Sequence, residues 1–135
     1  MELVVVVILV GILAVVALPK FIGQQEFASR GFYDAAQASV RYAQKAAVAQ
    51  RRTVHVVPAA GSLSLCYNAG CGSPLIDPTT NAAFVLSAPS GVTLAGVSLS
   101  FDGLGRPSTG ATFTVTDSDG ARTFTVEPQT GYVHP

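Results

Sequence analysis

The fold of this chain is decided by Glu2-Leu-Val-Val-Val-Val-Ile-Leu-Val-Gly-Ile-Leu-Ala-Val-Val-Ala-Leu18, which Pro19 follows directly. The sixteen residues from Leu3 to Leu18 carry no charged and no polar side chain. As an α-helix they rise roughly 24 Å, slightly less than the hydrocarbon core of a bilayer, which is about 30 Å thick. With Phe21 and Ile22 beyond the proline, the predicted helix is long enough to span a membrane.

Three common roles of an apolar run fit this one poorly. A secretory signal peptide has a basic start and a small-residue cleavage site, whereas this run starts with an acid and continues into a helical pattern. A helix that is apolar all round is buried only inside a large protein, and 135 residues cannot surround this one. A plain membrane anchor does not explain Glu2, because an acid in or near a membrane span is costly and usually has a partner.

The start Met1-Glu2-Leu3, the apolar run and Pro19 resemble the N-terminus of the type IV pilin and type II secretion pseudopilin family. In that family a glutamate opens the run and a helix-kinking proline lies 17 residues further on, which is the separation of Glu2 and Pro19 here. The resemblance implies that Glu2 neutralises the N-terminal amine of a neighbouring subunit. Pro19 removes a backbone hydrogen bond, so we expect a kink or a locally melted stretch around Leu13 to Pro19. Glu2 and Pro19 are therefore the expected assembly residues.

The family's leader peptide, and the Phe-Thr-Leu that precedes the glutamate region, are absent before Met1. Methionine directly before the glutamate fits the Phe-Thr-Leu-Met-Glu-Leu variant of the family's start. We therefore expect Met1 to be an internal residue of a longer precursor, whose short basic leader ends in Gly.

The helix is expected to continue from Lys20 to about Arg52, because apolar residues recur there at spacings of three and four. They would form one stripe for a sheet to cover: Phe32, Ala36, Val40, Ala43 and Ala47. The formal charge of the chain is zero but uneven. Through Arg52 there are six basic and three acidic residues, and beyond it two basic and five acidic. Opposite charges on helix and head favour lateral contacts between subunits and argue against a head that binds nucleic acid.

Beyond residue 52 the hydrophobic period changes from 3.6 to 2, which is typical of strands. Two Thr-Phe-Thr-Val strings flank Asp117-Ser-Asp-Gly120, which predicts a hairpin with a positive φ at Gly120. We predict an α+β fold, in which a long kinked N-terminal helix, its apolar half protruding, packs against a mainly antiparallel β-sheet head. Residues 1–24 would form the membrane anchor or filament-core helix, and residues 25–135 the head with the rest of the helix. The predicted strands are 53–57, 62–67, 83–87, 92–101, 111–116, 122–127 and 131–134.

Few residues could carry chemistry. His55 and His134 have no partners at metal-ligand spacing, and no nucleophile motif or phosphate loop occurs. We therefore expect no metal, no cofactor and no enzymatic activity. Cys66 and Cys71 could form a redox pair or a structural disulfide, and we favour the disulfide because a membrane anchor would place them in an oxidising compartment.

The segment from Phe101 to Ser108 and the hairpin after it resemble the head of GspH/FimT-like pseudopilins and minor pilins. Together with the N-terminal resemblance, this implies a structural subunit of a type IV pilus-like filament. Such a subunit starts in the inner membrane, is processed by prepilin peptidase, and is assembled with copies of itself by the pilus machinery into an extracellular filament. Two alternatives remain, a minor pseudopilin of a type II secretion system in the periplasm and a DNA-uptake minor pilin.

Overall fold

The computed structural model describes residues 1–15 and 26–135 together with their side chains. Helix α1 spans Glu2–Gln50, and eight strands follow in the described part of the chain. The strands are β1 (Val54–Ala59), β2 (Ser62–Cys66), β3 (Val85–Ser87), β4 (Thr93–Ala95), β5 (Leu99–Phe101), β6 (Ala111–Asp117), β7 (Gly120–Val126) and β8 (Val133–His134). The kink predicted at Pro19 lies outside the described residues.

The C-terminal end of α1 is closed by its own backbone. Arg51 adopts the left-handed conformation, with φ 48° and ψ 40°. Its N–H donates to the Val48 carbonyl at 3.3 Å, and the N–H of Arg52 donates to the Ala47 carbonyl at 3.1 Å. These bonds satisfy carbonyls of the last turn that would otherwise lack a partner. The chain therefore leaves the helix in a tight turn and enters β1.

The apolar stripe predicted on the helix is confirmed, since all five side chains are buried: Phe32, Ala36, Val40, Ala43 and Ala47. They pack against strands of two four-stranded sheets, with the orders β3-β2-β1-β5 and β4-β6-β7-β8. Neighbouring strands in both sheets are antiparallel. The predicted α+β class and the antiparallel head are therefore confirmed, with the head built from two sheets.

The strand predicted over 92–101 was wrong as a single element. It forms β4 in the second sheet and β5 in the first. Gly96 lies between them against the ring of Phe113, where a Cβ would come within 2.5 Å of a ring carbon. The close approach of Gly96 to the Phe113 ring leaves no room for a side chain, and the chain crosses from one sheet to the other at this point.

The predicted hairpin is confirmed. Asp117 pairs with Gly120, whose φ is 147°, and Phe113 lies opposite Phe124. The two rings stack with centroids 5.0 Å apart, and both side chains are fully buried. The Thr-Phe-Thr-Val strings are therefore cross-strand partners whose aromatic residues form the centre of the second sheet's core face.

Candidate assembly site

The first turns of α1 present apolar side chains on every side. In residues 3–15, each Leu, Val and Ile is more than half exposed, from 54% at Leu9 to 75% at Leu3. Within the described residues, no helix has the combination of length and apolarity that crossing a membrane requires. Exposing so many apolar side chains to water is unfavourable, so this surface requires cover from outside the described chain.

Glu2 lies in the first turn of α1, where the positive end of the helix dipole stabilises a carboxylate. Its side chain is exposed and forms no ion pair with a described residue. The structure therefore places the predicted assembly carboxylate at the open end of an apolar helix, while Pro19, the other predicted residue, lies outside the described residues.

A disulfide joins Cys66, the last residue of β2, to Cys71, with their Cα atoms 5.1 Å apart. Cys71 has a φ of 52°, and its N–H donates to the Asn68 carbonyl at 3.1 Å. The side-chain oxygen of Asn68 accepts the Ser73 N–H at 3.1 Å. The bridge and these hydrogen bonds hold a small loop of the head.

Sequence reasoning missed a polar cluster that joins α1 to the hairpin. Ser29 is fully buried, donates a hydrogen bond to Asp117, and accepts one from Arg122 at 3.1 Å. The Ser29 hydroxyl and the backbone N–H of Asp119 hold the pKa of Asp117 below its ordinary value, with the Arg122 charge adding to the effect. The one sequence signal for this cluster was Ser29 itself. Serines are common on exposed helix faces, so the sequence did not show that this one is buried against the hairpin.

A groove beside the C-terminal end of α1 was also missed. The Gln44 side-chain amide donates to the carbonyls of Gly105 and Thr130 at 2.9 and 3.0 Å, which holds two loops against the helix. Between them lies a cavity of about 360 Å³, bordered by Lys45, Val48, Leu104 and Arg106. The sequence signal was faint: Leu104 is a single apolar residue between two glycines in a turn.

The two histidines of the described residues lie in separate surroundings. The described residues include no group of three or more His, Cys, Asp or Glu side chains placed to hold a metal ion. His134 lies 2.9 Å from Glu127, and this hydrogen bond raises the pKa of the imidazole. His55 borders a separate cavity of about 160 Å³ together with Ser98 and Ser100. His134 therefore has a carboxylate partner, whereas His55 borders a cavity whose other lining side chains are neutral.

Comparisons with known proteins agree with the fold of the head. The family model described as "Type II transport protein GspH" matches residues 34–130. A crystal structure of the type IV minor pilin FimU from Pseudomonas aeruginosa (strain PAO1) matches with a TM-score of 0.57 at 20% identity, over 78% of this chain and 90% of that chain. A second crystal form of FimU gives a TM-score of 0.56 at 19% identity, over 83% and 87%. Such low identity shows the fold alone. No curated protein matches the chain significantly.

Proposed function

The chain belongs to the family of type II transport protein GspH, and on that premise we propose that it is a structural subunit of a type IV pilus-like filament, assembled from copies of itself. One observation carries the proposal. An apolar helical run that opens with Glu2 is exposed on all sides and is joined to a pilin-like head. A subunit of this kind acts through its surfaces and needs no catalytic group.

The energetics of the apolar run support this role. Full burial of a Val, Leu or Ile side chain contributes about 1.5–3 kcal/mol, and residues 3–15 are almost entirely of these types. Lipid chains would cover the run in the inner membrane, and the helices of neighbouring copies would cover it in a filament. Transfer between these two environments avoids exposure to water, so assembly does not incur the hydrophobic penalty.

Glu2 would control the register of the copies. A carboxylate in a low-dielectric helix bundle is strongly unfavourable unless a cation pairs with it. The N-terminal amine of the neighbouring subunit is the partner that the family resemblance supplies. Such a pair adds little net affinity, but a copy in the wrong register would leave the charge unpaired.

The remaining partners follow from this route. The precursor would sit in the inner membrane through residues 1–24, be processed by prepilin peptidase, and be extracted by the pilus machinery. The filament would then be extracellular. The family description favours one alternative, a minor pseudopilin in a periplasmic pseudopilus of a type II secretion system.

Immunogold electron microscopy with an antibody against the head tests the proposal in native cells. We expect label along the whole length of surface fibres. Label confined to fibres in the periplasm would support the pseudopilin alternative. Label on neither surface nor periplasmic fibres would contradict both.

A further inference from the structure

Phe27 is an exposed aromatic residue on the face of α1 that points away from the sheets. Its side chain is 76% exposed, whereas Ser29 and Phe32 nearby are buried. Lys45 lies eighteen residues further along, which is five full turns at 3.6 residues per turn, so the two residues share one line along the helix. One face of α1 therefore carries Phe27 near one end of the head and Lys45 at the other.

Two exposed apolar side chains, Val48 and Leu104, line the groove at the Lys45 end. Val48 is 47% exposed and Leu104 is 74% exposed. The side chain of Asp102 accepts the N–H groups of Leu104 and Arg106 at 2.9 and 2.8 Å, which fixes the turn that presents Leu104. A second cavity, lined by Val48, Arg51, Gly103 and Leu104, continues the first. An incoming apolar side chain would find a preformed site between Val48 and Leu104.

The charges around these two features are complementary. The groove is surrounded by Lys45, Arg51 and Arg106, all exposed and none in an ion pair with a described residue, while the Asp102 carboxylate lies close enough to Arg106 to feel its charge. The Phe27 end carries Glu26, Asp34, Asp117 and Asp119 against Arg30 and Arg122, both of which pair with carboxylates there. One end of the helix face therefore has an excess of positive charge and the other an excess of negative charge.

We propose that Phe27 of one copy inserts between Val48 and Leu104 of a second copy, an inference that rests on the proposed function. Phe27 and the groove lie at opposite ends of one helix face, so antiparallel copies would form a closed dimer, whereas copies whose helices run parallel, as in the proposed filament, make a head-to-tail contact that repeats along the fibre. With parallel helices, the stagger between contacting copies is the rise from Phe27 to Lys45 or Val48, roughly 27–32 Å. An aromatic side chain with acidic neighbours would cover Val48 and Leu104 and would also face the basic residues around the groove. A phosphate backbone would pair with those basic residues but leave Val48 and Leu104 uncovered.

Cysteine pairs test the contact in assembled fibres. The variant with both Phe27→Cys and Leu104→Cys should give a ladder of covalent multimers on non-reducing gels, and each single variant should stay monomeric because the contact joins unlike surfaces. The matched control combines Leu104→Cys with Val85→Cys. Val85 is 52% exposed on β3, at the opposite edge of the first sheet from β5, and should give no ladder. An equal ladder from the control would overturn the proposal.

Wild-type fibres provide a second measurement that does not depend on assembly of the variants. A zero-length carbodiimide should link Lys45 of one copy to Glu26, Asp34 or Asp119 of the next, as identified by peptide mass spectrometry. Fibres that contain the protein but lack this link and the ladder overturn the contact and leave the proposed function standing. Cross-linking of Leu104→Cys to a different protein, or protection of Lys45 by added DNA, also overturns it. Absence of the protein from all fibres contradicts the proposed function itself.

Discussion

Ser29 and Asp117 lie 88 residues apart in the chain, yet the hydroxyl of Ser29 donates a hydrogen bond to the carboxylate of Asp117. Arg122 completes the cluster, with its guanidinium 3.7 Å from the same carboxylate oxygen. Asp117 also accepts the backbone N–H groups of Asp119 and Gly120. One carboxylate therefore closes the β6–β7 turn and fastens it to the helix.

Replacing the buried hydroxyl should weaken this junction. Ser29→Ala removes a donor to a charged acceptor and leaves the Arg122 N–H without its partner, so we expect a lower free energy of unfolding. Urea unfolding of the full chain in detergent measures the effect. Ser118→Ala, at the exposed tip of the same hairpin, is the matched control and should change stability by less than about 0.5 kcal/mol. Equal stability of the two variants would contradict the role of the cluster.

The same cluster predicts a pH dependence. The folded state lowers the pKa of Asp117, chiefly through Ser29. The group therefore binds its proton less readily when folded, and it contributes stability that is present above the unfolded pKa near 3.8 and lost as the pH falls through the lower folded value. Asp102 and Asp77 have lowered pKa values as well and add to the acid slope.

Comparison of wild type with Ser29→Ala isolates the part due to Asp117. The stability difference between the two proteins should be constant near pH 6 and shrink only as the pH falls through the folded pKa of Asp117, which lies below 3.8, because the carboxyl then becomes protonated in both proteins. A difference that is the same in acid where Asp117 is protonated in both proteins would show that Ser29 acts through packing alone.

The parts of the fold that were predicted correctly depend on local pattern. The stripe from Phe32 to Ala47 repeats at helical spacing, and the β6–β7 hairpin is fixed by four residues of turn chemistry between matched strings. The division of 92–101 into two strands was not predictable. It depends on the contact of Gly96 with the ring of Phe113, which lies on β6, later in the chain.

The groove shows why charge counted along the sequence was misleading. Dividing the chain at Arg52 assigned Lys45 and Arg51 to the helix and Arg106 to an acidic head. The fold brings all three to one rim, because Gln44 binds carbonyls of loops that lie 61 and 86 residues away. Contacts of such range leave no periodic pattern in a single sequence.

The disulfide should stabilise the head modestly. Cys66 and Cys71 are separated by five positions, and the loop-entropy model gives on the order of 2 kcal/mol for so short a ring. The variant with both cysteines replaced by serine should lose about this much in urea unfolding. Addition of a reductant should lower the stability of wild type alone, and a reductant effect on the double variant would show that the bridge is not its cause.

The protein should not bind DNA at physiological salt. Arg122 is engaged with Ser29 and Asp117, and Arg52 lies over the ring of Tyr67 at 3.9 Å, so only Lys45, Arg51 and Arg106 remain around the groove. So few cations neutralise few phosphates, and binding that depends on them weakens steeply with salt. A gel shift at about 150 mM salt measures this. Micromolar binding that Arg106→Ala abolishes would revive the DNA-uptake alternative.

Counting surface fibres on cells that express Glu2→Gln tests the central claim most directly. The substitution keeps the size of the side chain and removes its charge, so the subunit should still enter the membrane and fold its head while losing the proposed pair of Glu2 with a neighbouring amine. Glu127→Gln is the matched control, because its exposed pair with His134 is worth little. We predict few or no fibres from Glu2→Gln at a normal membrane level of the subunit, and wild-type numbers from Glu127→Gln. Wild-type numbers of fibres containing the Glu2→Gln subunit would contradict the account.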